Sequence, residues 1–88
     1  MTVAAKASGG SCTVRVSQSG SILTKHSPTE IARLNVTPLT EATALFGVQD
    51  NAWGLLHVGT DGIVTIYHIY GSESLTWDAI DTSVSFTI

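Results

Sequence analysis

The stretch that most constrains this chain is GLLHVGTDGIVTIYHIY, residues 54 to 70. Two alternating apolar runs flank TDG, Thr60 to Gly62, which suits a three-residue hairpin loop with glycine in the left-handed, bulge-forming position. That loop pairs Val58 with Val64, Leu56 with Ile66 and Gly54 with His68, which puts an aliphatic face toward a core. The opposite face carries Leu55, His57, Ile63, Thr65, Tyr67 and Ile69 and is also mostly apolar. A two-residue Asp-Gly turn would shift the register by one and mix the two sets. Under the three-residue reading both faces need cover. A small two-layer protein has nothing of its own for the second, so another copy of the chain is expected to supply it.

Size and composition agree with that expectation. Eighty-eight residues make one domain at most. A chain this short buries only about 60–65% of its unfolded surface, so its core needs help from disulfides, metal or neighbouring subunits. Cys12 is the chain's one cysteine and cannot form an internal bridge. His26, His57 and His68 do not fall at a recognised ligand spacing, so no metal and no cofactor is expected. Oligomerisation remains. Charged residues make up 12% of the chain and hydrophobic ones 43%, too little charge to cover a monomer's surface.

The net charge is −3, and Lys6, Arg15, Lys25 and Arg33 are scattered rather than aligned, which argues against a nucleic-acid partner. No apolar run approaches the roughly 20 residues of a membrane span. The opening MTVAAKASGG lacks the continuous apolar segment of a signal peptide. Residues 1–11 read as a flexible lead-in or linker, and residues 12–88 as a single β-sandwich domain.

Along that domain the pattern is strand and turn. CTVRVSQ alternates, with Cys12, Val14 and Val16 on one side. A turn at Ser19 to Ser21 leads to SILTKH, a short strand. In HSPTEIARLNVTP, Ser27, Pro28 and Glu30 make a good local helix start. Only about two turns would remain before NVTP, however, and helices that short are marginal, so an extended segment from Glu30 to Val36 is favoured. Leu39, Ala42 and Leu45/Phe46 fit a helical stripe, while ATALFGVQ fits a buried strand; the strand is preferred, with VQDNAWG as the turn after it. GSES at Gly71 to Ser74 is another turn. LTWDAI and the strictly alternating SVSFTI follow, and the natural chain is expected to end on that closing strand. The sum is all-β: a small antiparallel β-sandwich, jelly-roll-like, of about seven strands.

From Glu30 onward the chain resembles the C-terminal receptor-binding domains of bacteriophage tail fibres and baseplate proteins. The residues that carry the likeness are IARLNVTP, GLLHVGTDGIVTI and the tryptophan of LTWDAI before a closing strand, with CTVRVSQSGSIL where such domains place their first hairpin. The usual Leu-Pro dipeptide is replaced here by Leu34-Asn35-Val36-Thr37-Pro38. The resemblance implies a homotrimer at the tip of a fibre, assembled with other tail or baseplate proteins. It also implies a virion component, made in the bacterial cytoplasm, that binds saccharide on a bacterial surface.

Saccharide recognition needs an aromatic face against the sugar's C–H surface and fixed polar groups for its hydroxyls. Trp53 in DNAWG, flanked by Asp50 and Asn51, offers both, though a tryptophan there also serves to plug the end of a sandwich. Trp77 with Asp78 offers the same pair, against a packing role. Tyr67 and His57 share the second apolar face, as interface residues or as ligand contacts. In YHIY, Tyr67 and Ile69 fall on one face and His68 and Tyr70 on the other, with His68 a satisfied, partly buried core histidine.

Catalysis finds little purchase. Serines and histidines are present without a nucleophile elbow or other local signature. The carboxylates Asp50, Asp61, Glu73, Asp78 and Asp81 mostly fall in turns, where turn chemistry already explains them. The chain therefore reads as non-enzymatic. A fibre-tip or trimerisation cap without its own ligand is one alternative, and a carbohydrate-binding module of a bacterial secreted enzyme is another.

Overall fold

The computed structural model describes residues 2–19, 22–24, 28–49, 52–71, 74–76 and 79–88, with side chains for 2–17, 28–47, 52–71 and 81–88. Its strands are β1 (Thr2–Ser8), β2 (Ser11–Ser19), β3 (Ile22–Thr24), β4 (Thr29–Arg33), β5 (Ala42–Gln49), β6 (Ala52–Val58), β7 (Ile63–Tyr70), β8 (Ser74–Thr76) and β9 (Ala79–Thr87). The described residues contain no helix. Seven antiparallel strands form two sheets, ordered β1-β2-β9 and β4-β7-β6-β5, and β3 pairs with β8 in a separate ladder. The protein is an all-β sandwich.

The core lies between the inward faces of the two sheets. Cys12, Val14 and Val16 of β2 and Val84 and Phe86 of β9 come from one layer. Ala42 and Phe46 of β5, Ala52, Leu56 and Val58 of β6, and Val64 and Ile66 of β7 come from the other. Within each strand the core residues lie an even number of positions apart, as a pleated strand with one buried face requires. Leu34 N–H donates to Gly62 O at 2.8 Å and Leu39 N–H to Thr87 O at 3.0 Å, tying the long β4–β5 connection to both layers.

The hairpin β6–β7 has the register its sequence predicts: Val58 opposite Val64, Leu56 opposite Ile66, Gly54 opposite His68. Gly62 N–H donates to Gly59 O and Gly59 N–H to Ile63 O, closing a loop of Thr60, Asp61 and Gly62. Gly62 takes a φ of 82°, the left-handed value that ends such a loop. Asp61 Oδ1 accepts the Ile63 N–H at 3.0 Å and fixes the turn from the side-chain side.

Several expectations are corrected. Thr2–Ser8, within the expected flexible lead-in, is strand β1, paired with β2 without interruption from Thr2–Ser17 to Ser8–Ser11. Its hairpin turns on Gly9 and Gly10, both at positive φ, as a two-residue type I′ turn requires. Trp53 is not in a turn: β6 begins at Ala52, because Ala52, Gly54, Leu56 and Val58 alternate into the core. Tyr70 does not share a face with His68. A bulge at Ile69 pairs Tyr70 with Trp53 and leaves Tyr70 60% exposed. The local helix signal at Pro28 to Glu30 loses to pairing of β4 with β7, and strand geometry ends at Arg33 rather than Val36. Finally, ATALFGVQ is buried on one side only, with Leu45 exposed. The expected turn at Gly20 and Ser21, and His26, lie outside the described residues.

Candidate functional site

The outer face of the four-stranded sheet is where the sequence-predicted residues converge. Register places its side chains in rows across the strands. Trp53 stands between Gly47 and Tyr70, Leu55 between Leu45 and Tyr67, and His57 between Thr43 and Thr65, with Glu30 beyond Thr65 on β4. The face therefore has two ends of different chemistry.

The apolar end carries Leu45, Trp53, Ile69 and Tyr70 in the open, with Trp53 49% and Leu45 63% exposed, and Leu55 and Tyr67 half-buried among them. Scattered single apolar residues are ordinary on a protein surface; a contiguous group on adjacent strands is not. The bulge at Ile69 is the local cause. It turns Tyr70 out beside Trp53 and adds a second exposed aromatic to the patch.

At the polar end a groove of about 470 Å³ runs across the strands, with Tyr67 and Ile63 as its apolar wall. Glu30 comes from β4, Glu41 from just before β5, His57 from β6, Thr60 and Asp61 from the β6–β7 loop, and Thr65 from β7. His57 Nε2–H donates to Glu41 Oε2 at 3.2 Å, and the His57 ring meets Tyr67 edge-on, centroids 6.0 Å apart and planes at 86°. These two contacts orient the imidazole. Arg33 donates from Nε and Nη2 to the two oxygens of Glu30, each at 3.1 Å. Those hydrogen bonds, followed by the attraction of the Glu30 charge, raise the Arg33 pKa further above its ordinary range. The groove lining itself contains three carboxylates and neither lysine nor arginine.

Of the residues singled out in the sequence, the structure brings His57 and Tyr67 together in the groove and sets Trp53 at the other end of the same face. Asp50, Asn51, Trp77 and Asp78 lie outside the described residues. His68 lies on the core side, fully buried. Its Nε2–H donates to Tyr70 O at 2.9 Å, and Nδ1 has no partner among the described residues, which therefore satisfy one of its two ring nitrogens. Glu30, Glu41, Leu45 and Tyr70 were missed. Alternation within ATALFGVQ was signal enough for Leu45, while the others depend on cross-strand register and a bulge. Comparison with known protein families, curated proteins and solved structures finds no match.

Proposed function

We propose that the protein is a non-enzymatic receptor-binding module of a phage or prophage tail tip, which recognises bacterial surface saccharide as a homotrimer. The observation that carries this reading is one sheet face divided between an exposed apolar patch and an adjoining groove with fixed polar groups. Leu45, Trp53, Ile69 and Tyr70 are the kind of surface that a neighbouring copy desolvates. The groove beside it offers the parts saccharide binding needs: an aromatic wall at Tyr67, and Glu30, Glu41, His57 and Asp61 to meet hydroxyls. With carboxylates and no lysine or arginine in the lining, the sugar is neutral or amine-bearing, since a phosphorylated one meets repulsion.

The exposed apolar end also favours a second reading, a fibre-tip cap whose whole outer face serves assembly. Particle mass in solution, measured together with binding to host cell-wall saccharide, tests both. A particle of three chains, or of a multiple of three, that binds supports the module. Such a particle that fails to bind the cell wall of its own host favours the cap, and a single chain at high dilution overturns both.

A further inference from the structure

We propose a second interaction surface, the edge of β1 that no other strand pairs among the described residues, at which two copies of this chain join by antiparallel strand pairing. The hydrogen-bonding direction of every residue in β1 follows from the turn it enters. In a two-residue hairpin loop the flanking residues exchange hydrogen bonds, so Ser8 and Ser11 bond to one another and the pattern alternates from there. Thr2, Ala4, Lys6 and Ser8 thus direct their N–H and C=O groups to β2, and Val3, Ala5 and Ala7 direct theirs outward. The far side of β2 agrees independently. Ile88 N–H donates to Gly10 O at 2.9 Å, so the even-numbered residues of β2 bond toward β9 and the odd-numbered ones toward β1.

The other edges of the two sheets are blunted. β4 is interrupted by a bulge between Glu30 and Ala32 and carries the Arg33–Glu30 ion pair. β5 is bulged between Gly47 and Gln49 and packs along β9, and β9 is capped at Thr87 by Leu39 N–H. β1 has none of these devices. Its register is unbroken, it contains no proline, its one charge is Lys6, and among the described residues β2 is the one strand it packs against substantially. Long edges without a bulge or a proline are templates for another strand.

The sequence of β1 selects its own copy as that strand. A two-fold axis through Ala5 sets Val3 opposite Ala7 and Ala5 opposite itself, all three being residues whose backbone groups point outward. On the core-side face every cross-strand pair is then small and apolar. On the other face Thr2 meets Ser8 and Ala4 meets Lys6, which keeps the two lysines out of direct opposition. Ala5 and Ala7 are exposed and Val3 half-buried even though their β2 partners Val14, Cys12 and Val16 are core, so the pairing extends an apolar strip the sandwich leaves open. The pairing joins the two three-stranded sheets into one continuous sheet.

This surface is independent of the outer face of β5–β6–β7. The test is light scattering on the full chain and on Ala5→Pro. Proline there removes an outward N–H and no bond of the β1–β2 ladder. The expected result is a twofold fall in particle mass, in the wild-type background and equally in Tyr67→Asp, with the far-UV spectrum unchanged. An unchanged mass overturns the proposal. Should Ala5→Pro fail to fold, amide exchange of the wild-type chain decides instead. Exchange at Val3, Ala5 and Ala7 slowed on the order of tenfold on concentration supports the pairing, and exchange as fast as at high dilution overturns it.

Discussion

The ring of Phe46 covers the α-carbon of Gly54, its cross-strand partner: a Cβ added at Gly54 would stand 2.5 Å from Cζ and 2.7 Å from Cε2 of the ring. Glycine here is what allows a buried phenylalanine to lie flat across the sheet.

Gly54→Ala should therefore destabilise the fold by about 1–3 kcal/mol, the usual cost of overpacking a closed core. For a chain of this length that corresponds to a fall in Tm of about 4–8 °C per kcal/mol. Adding Phe46→Leu should recover part of the loss, because the smaller side chain can withdraw. Equilibrium urea unfolding of the three variants checks this, and a double variant no better than the sum of the singles would refute the contact.

Leu45→Asp puts a charge in the exposed apolar patch. Because Leu45 is 63% exposed, the folded single chain should barely notice, with a change within about 0.5 kcal/mol. The assembly should be lost, since a charge in a desolvated interface has no partner. Light scattering should then show smaller particles of unchanged secondary structure. Tyr67→Asp, in the same cross-strand row, should do the same.

In the groove, His57→Ala removes a donor held between Glu41 and Tyr67 and leaves the Glu41 carboxylate without its partner. Binding to host cell-wall saccharide should weaken by roughly tenfold or more, the scale set by losing one charge-assisted hydrogen bond. Titration of purified cell-wall saccharide into both proteins tests it; equal affinity would remove the groove from the binding reading.

Across the other sheet, Arg15 donates from Nη2 to Asp81 Oδ2 at 2.7 Å and from Nε to Oδ1 at 2.9 Å. These bonds hold the Asp81 carboxyl below its ordinary value of 3.8. A carboxyl depressed by folding adds stability that is fully present above the unfolded-state pKa and is lost as pH falls through the folded one. The stability difference between wild type and Asp81→Asn should thus be flat near neutrality and shrink on acidification below about pH 4. Both side chains are well exposed, so the difference is also expected to fall with added salt. A carboxylate titration of Asp81 with a midpoint at or above 3.8 would contradict the assignment.

What could be read from the residues alone tracks how far each signal travels along the chain. The β6–β7 register was legible because TDG sets it locally and every apolar residue of the two runs follows from that choice. β1 was not: TVAAKAS is rich in alanine, a weak strand former, and its alternation of Val3, Ala5 and Ala7 is faint in volume. DNAWG looked like a turn throughout because Asp and Asn are turn formers, yet Ala52 and Gly54 already point into the core. The groove was the least legible part. Glu30, Glu41 and Asp61 come from three separate places in the sequence, and only the pairing of β4, β5 and β6 with their neighbours gathers them around His57.

Cys12 is 1% exposed, set between its cross-strand neighbours Ala7 and Phe86. A thiol so enclosed waits for the strands around it to part, and no other sulfhydryl competes for the reagent. Its alkylation rate is therefore a built-in clock for how often the sandwich breathes.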